Sequence, residues 1–130
     1  MSLSDTILGA IEDDWSAFEL NEEQLGTSGV LITVSGELDI ATAPELRDRL
    51  TSAIARGATG VVVDLRAVTF MDSVAMAAIL HVRTQLGKRG RMAVVLGDDS
   101  YTKLVFEIAG LPRCLELFET RDEAVSHVSA

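Results

Sequence analysis

Hydrophobic and polar positions along the chain follow two periods, and the switches between them mark the elements. From Trp15 to Glu22 a weak alternation through Ala17-Phe18-Glu19-Leu20 predicts an edge strand. Gly26-Thr27-Ser28-Gly29 reads as a turn, and Val30-Leu31-Ile32-Thr33-Val34, apolar and rich in β-branched residues, as a buried strand. The short turn between them predicts an antiparallel pair. Gly36-Glu37-Leu38-Asp39 reads as a loop. Thr42 and Glu45 then have capping-box spacing, with Pro44 in the first turn, so a helix is expected to start there. Leu46, Leu50 and Ile54 recur every fourth residue as its buried stripe, and Gly57 is its stop. Gly60 opens the apolar strand Val61-Val62-Val63-Asp64-Leu65, and Arg66-Ala67-Val68-Thr69-Phe70-Met71 reads as a crossing loop.

Asp72 is placed to cap the next helix. Its expected inner face is Met76, Ile79, Leu80 and Leu86, with Ala75, Ala77 and Ala78 allowing close packing. Lys88, Arg89 and Arg91 follow its C-terminal end, where the helix dipole favours cations. Met92 to Leu96 reads as another buried strand. Asp98-Asp99-Ser100 starts a third helix with Leu104, Val105 and Ile108 inward, which Gly110 and Leu111-Pro112 end. Leu115-Glu116-Leu117-Phe118 reads as a last short strand, and Thr120 with Glu123 as a second capping box before a terminal helix carrying Ala124, Val125 and Val128. This order predicts an α/β fold: a mixed sheet of four to five strands, its later units parallel through right-handed crossovers, with about four helices packed on it. Residues 1–14 read as a leader, helical or loose, with Ile7, Leu8 and Ile11 on one side. Residues 15–130 read as a single domain.

At 130 residues, with 48% hydrophobic and 24% charged positions, the chain can bury a proper core without staples. No apolar run approaches the ~20 residues of a membrane span, and Met1-Ser2-Leu3-Ser4-Asp5 lacks the basic start of a signal peptide. The single cysteine, Cys114, suits a reducing cytoplasm and is expected to be a small buried hydrophobe. The net charge of −9 is unevenly placed: residues 1–46 hold ten acids and no base. Such a chain is repelled by nucleic acid and by anionic membranes, so neither is an expected partner. The acidic third serves either as a solubilising face or to select a basic partner.

Sequence signals for catalysis are sparse. His81 and His127 fall in predicted helices without spaced metal-ligand partners, so no metal site is expected. There is no Gly-x-Gly-x-x-Gly, no phosphate-binding glycine loop and no Gly-x-Ser-x-Gly elbow. Ser73 has no base nearby: His81 lies two helical turns on, ~12 Å away. No catalytic residue and no cofactor are therefore expected. A response-regulator receiver, with Asp64 as phosphoacceptor and Asp13-Asp14 as metal-binding acids, is one alternative. Against it stand the absence of Met-Pro in the loop, Gly97-Asp98 where a small hydroxyl residue is expected, and the absence of Lys-Pro after a last strand.

Gly36-Glu37-Leu38-Asp39, Val62-Val63-Asp64-Leu65 and Phe70-Met71-Asp72-Ser73, at these separations, resemble a STAS domain of the anti-sigma-factor-antagonist type. Gly110-Leu111 and the acidic final helix agree, and the resemblance runs from about Trp15 to the C-terminus. It implies a STAS-like fold and partner switching. In that scheme an unphosphorylated antagonist binds an anti-sigma factor that is also a serine kinase, phosphorylation releases it, and a phosphatase resets it. Ser73 matches the phosphoacceptor, Asp72 the acid before it and Asp39 the loop acid near it. With Thr42, Met71, Val74, Ala75 and Met76 these are the expected partner-binding residues. The family usually carries Asp-Ser-Ser/Thr-Gly where this chain has Asp72-Ser73-Val74-Ala75, so a second hydroxyl and a glycine are replaced. A non-cycling scaffold or complex subunit is therefore the alternative to a cycling antagonist.

Overall fold

The computed structural model describes residues 18–98 and 100–129. The leader expected over 1–14, Trp15 and the acids Asp13 and Asp14 lie outside these. Strands β1 (Glu19–Leu25), β2 (Gly29–Leu38), β3 (Gly60–Met71), β4 (Arg91–Val95) and β5 (Glu116–Phe118) form one sheet in that spatial order. β1 pairs with β2 antiparallel across the Gly26 turn, and every later pair is parallel. Helices α1 (Ala43–Ala55), α2 (Ser73–Leu86), α3 (Tyr101–Ile108) and α4 (Arg121–Ser129) make the crossovers and the terminus, with a 3-10 turn at Leu111–Arg113. The expected α/β class and mixed sheet are the observed ones.

The alternation of side chains across the strands divides the interior in two. Val30, Ile32, Val34, Val61, Val63 and Leu65 pack under α1, α2 and α3 as the larger core. Leu31, Val62, Ala93 and Val95 face the other way, against Ala124 of α4. On α1, Leu46 and Leu50 are buried as expected, joined by Ala53, while Ile54 is half-buried at the edge. On α2 the seam is Ala75, Ala78, Ile79 and Val82; of the four expected inner residues only Ile79 is fully buried, and Met76, Leu80 and Leu86 flank it.

Several expectations need correction. The stretches Gly36–Asp39 and Arg66–Met71, expected as loops, largely extend β2 and β3. Their strands stay paired through Ser35↔Ala67, Gly36↔Val68, Glu37↔Phe70 and Leu38↔Met71. Two register shifts intervene, at Thr33/Ser35 and at Gly36/Glu37, with the extra residue on β3 each time, and on β2 beside the second Gly36 has a positive φ of 91°. Every residue of β3 up to Leu65 is buried, and beyond it, where the bulges fall, only every third is: Val68 and Met71 are buried and the pairs before each exposed. On α3 the inward residues are Thr102 and Phe106, whereas Leu104 and Ile108 are exposed. Cys114 is exposed, in the turn between buried Leu111 and Leu115.

Candidate functional site

The carboxyl ends of β2 and β3 lie side by side, and the loops leaving them form one surface. The Asp72 amide donates to the Leu38 carbonyl at 3.1 Å, tying the start of α2 to the end of β2. Asp72 is the N-cap of α2: its Oδ1 accepts from the amides of Val74 at 3.0 Å and Ala75 at 3.1 Å. Ser73 is the first helical residue and is exposed, and among the described residues no protein group hydrogen-bonds its hydroxyl.

The facing loop is held by its own side chains. Asp39 Oδ1 accepts from the amides of Ala41 at 2.9 Å and Thr42 at 3.1 Å. Thr42 Oγ1 donates to the Glu37 carbonyl at 2.7 Å and accepts from the Asp39 amide at 2.9 Å. With its hydroxyl used in this way, Thr42 makes no side-chain cap on α1, so the expected capping box does not form although the helix starts where expected. At Thr120 half of the box forms: Thr120 Oγ1 accepts from the Glu123 amide at 3.2 Å, while the Glu123 carboxylate accepts from the Thr120 hydroxyl at 2.8 Å rather than from its backbone amide.

Exposed apolar side chains surround this surface. Ile40 is 72% exposed, Val74 42% and Phe70 39%, and the Phe70 ring stacks on Tyr101 of α3 at 6.5 Å between centroids. Val74 also opens a groove of about 420 Å³ between α1 and α2, lined by Ala43, Pro44 and Arg47 on one side and Ala77, Ala78 and His81 on the other. Of the expected partner-binding residues, then, Ser73 and Val74 are exposed, and Asp39, Thr42, Asp72 and Met76 are partly so. Met71 and Ala75 are not available: Met71 closes the buried period of β3, and Ala75 packs into the α2 seam with no exposed surface. Sequence reasoning missed Ile40, Phe70, Tyr101 and Arg47. The one signal for Ile40 is its isolation in a polar loop.

Asp64 lies elsewhere, buried on the α4 face. Its Oδ2 accepts from Arg66 Nη2 at 2.8 Å and from Arg121 Nη2 at 2.9 Å, and its Oδ1 from Arg66 Nε at 3.0 Å. Burial pushes this carboxyl up, but the guanidiniums of Arg66 and Arg121 and the Arg66 amide outweigh that and hold it below the ordinary aspartate value. A carboxylate so enclosed is not a receiver phosphoacceptor. Among the described residues no three His, Cys, Asp or Glu side chains converge as metal ligands would.

Comparisons with known proteins agree with this geometry. A family model described as STAS domain matches residues 21–124. The anti-sigma-F factor antagonist RsfB of Mycobacterium tuberculosis is 29% identical over 98 residues, 75% of this chain and 80% of that one. The crystal structure of an anti-sigma factor antagonist from Mycobacterium paratuberculosis superposes with a TM-score of 0.79 at 27% identity, covering 88% of this chain and 96% of that one. SpoIIAA, an anti-sigma factor antagonist, superposes in its unphosphorylated form with a TM-score of 0.72 at 25% identity, over 85% of this chain and 96% of that one. Its phosphorylated form, from Bacillus, gives 0.64 at 26% identity, over 85% of this chain and 99% of that one.

Proposed function

The chain belongs to the STAS domain family, and from that premise we infer that it is an anti-sigma-factor antagonist: a binding module that engages an anti-sigma factor with serine-kinase activity and is released when that kinase phosphorylates Ser73. A phosphatase then restores the binding form. The observation that carries this reading is the setting of Ser73. It is exposed at the first turn of α2, with exposed apolar Val74 beside it and Phe70 three residues before it. The relatives named as anti-sigma factor antagonists, and the existence of SpoIIAA in two phosphorylation states, support it.

The switch follows from charge. A phosphate adds about −1.5 to −2 charges at neutral pH. A helix N-terminus favours an anion by only ~0.3–1 kcal/mol, and here the amides of Val74 and Ala75 are already taken by Asp72. The phosphate would therefore stay in solvent, beside the Asp72 carboxylate, on a face that a partner has to desolvate. Burying a charge unpaired costs several kcal/mol, and ~3 kcal/mol already weakens a complex more than a hundredfold. The fold tolerates the modification and the complex does not.

The test begins with capture of the partner by the unmodified chain, followed by incubation of the complex with ATP. The expected result is one phosphate on Ser73 by mass spectrometry and loss of the complex, with Ser73→Ala remaining bound and unmodified. If Ser73→Ala is phosphorylated and released as readily as the parent, the assignment of the site fails. A non-cycling scaffold is the second reading, favoured by Val74 in place of the second hydroxyl. It predicts equal partner binding by the parent, Ser73→Ala and Ser73→Asp.

A further inference from the structure

The groove between α1 and α2 is lined by small apolar side chains, Ala43 and Pro44 from the one helix and Val74, Ala77 and Ala78 from the other. Arg47 is its one formally charged lining residue, and it makes no ion pair among the described residues. The α1 acids Glu45 and Asp48 line a separate depression, with Arg49 and Arg56. The chain enters the fold close to this groove. Phe18 packs, half-buried, on the larger core, the face of the sheet that carries α1 and α2. β1 starts where β2 ends, since Glu19 pairs with Ser35. Both helices start at that same pole: the Thr42 hydroxyl is bound to the Glu37 carbonyl and the Asp72 amide to the Leu38 carbonyl.

We propose that residues 7–14 of this same chain occupy the groove. Ile7, Leu8 and Ile11 recur at helical spacing, an apolar set to cover the alanines. Glu12, Asp13 and Asp14 follow directly and supply a carboxylate for Arg47, and no Lys or Arg precedes Arg47 to compete for them. The reach is sufficient. Six residues separate Ile11 from Phe18, and at ~3.3 Å per residue this stretch spans roughly 23 Å, about two helix diameters, enough to pass over the first turn of α1. A short tether also holds the segment near the groove at an effective concentration of the order of mM. A second copy carries the same segment without that tether. Val74 lines the groove and stands beside Ser73, so the docked segment covers part of the face proposed for the anti-sigma factor. That consequence rests on the reading above, whereas the docking itself does not.

Paramagnetic broadening in the full chain, with no partner present, tests the docking. Cys114 is exposed, so Cys114→Ser clears the chain for a single nitroxide label at Ala10→Cys. Amide signals of Val74, Ala77, Ala78 and His81 should be lost in the labelled chain and return when the label is reduced. Those of α4, on the other face of the sheet, should persist. Adding Ile7→Ser, Ile11→Ser should restore the groove signals, and so should Arg47→Glu, which sets a carboxylate against the acids of the segment. The spectrum of the reduced chain checks the folding of each variant, and Arg47→Gln replaces Arg47→Glu if the charge reversal unfolds it. A mixture of isotope-labelled chain with spin-labelled chain of natural abundance should show no loss. Groove signals that persist beside the label, or a loss unchanged by the Ile7, Ile11 pair or by the Arg47 variant, overturns the proposal. Loss in the mixed sample assigns the groove to a second copy and overturns it as well.

Discussion

Ala75 stands where the family usually has glycine, and at the sequence level that exchange reads as a change in how closely a partner approaches. In the structure its methyl group is wholly buried in the α2 seam, while Val74 before it is half exposed. The two departures from the family pattern therefore act on different things. Val74 alters the exposed surface beside Ser73, and Ala75 alters the packing of the helix beneath it. Ala75→Gly should destabilise the fold by about 1–2 kcal/mol, from ~1 kcal/mol of helix propensity and up to ~0.8 kcal/mol for the lost buried methyl. Urea unfolding of the two chains measures this. A variant that keeps its stability but gains partner affinity would place the Ala75 position on the partner surface instead.

Helix α3 presents to solvent the face that its apolar pattern would bury. Tyr101, Leu104, Val105 and Ile108 form an apolar stripe at helical spacing, yet Tyr101, Leu104 and Ile108 are exposed and the sheet takes Thr102 and Phe106. β4 pairs with β3 only as far as Asp64↔Val95, so beyond that point the backbone of β3 needs another partner. Thr102 Oγ1 supplies one, donating to the Val68 carbonyl at 3.3 Å, and this fixes the helix rotation. Phe106→Ala should cost about 3–5 kcal/mol as a core truncation, whereas Leu104→Ser should stay within about 0.5 kcal/mol as a surface change. Denaturant melts decide between the two faces, and equal losses would rotate α3 back to the expected orientation. Similar reasons explain what was legible in the sequence. The strands Val30–Val34 and Val61–Leu65 and the Asp72 cap were readable because local chemistry alone sets them, whereas α1 starts where expected with Pro44 in its first turn but without the capping box. The tails of β2 and β3 were not, because bulges between the strands change which residues are buried: Val34 and Leu38 on β2, and Leu65, Val68 and Met71 on β3. Ser73 and Asp72 could be read from a short motif, but Ile40, Phe70 and Tyr101 become neighbours of that motif only when the sheet and α3 assemble.

Across the whole molecule, one buried carboxylate joins parts of the chain that are distant in sequence. Asp64 on β3 holds Arg66 of its own strand and Arg121 at the first turn of α4, and Arg121 Nη2 lies 3.4 Å from Thr33 Oγ1 of β2. A cation at a helix N-terminus is disfavoured by the dipole, so the Asp64 carboxylate offsets a cost that Arg121 would otherwise bring to α4. Because the folded state holds Asp64 below its ordinary value of 3.8, its contribution is complete above that value and is lost as the pH falls through the lower folded-state pKa. The chain should therefore lose this stability progressively as the pH falls below 3.8 toward the lower folded-state pKa. Removing one member of a buried ion pair costs ~3–5 kcal/mol, and the partial exposure of both guanidiniums places Asp64→Asn at the lower end, about 3 kcal/mol at neutral pH. The same substitution should flatten the acid limb, because the group whose proton uptake differs between folded and unfolded chains is gone. Urea unfolding of both chains from neutral pH down to the acid limb tests this. Two parallel profiles would mean that other carboxylates carry the acid sensitivity and that the Asp64 cluster does not anchor α4 to the sheet.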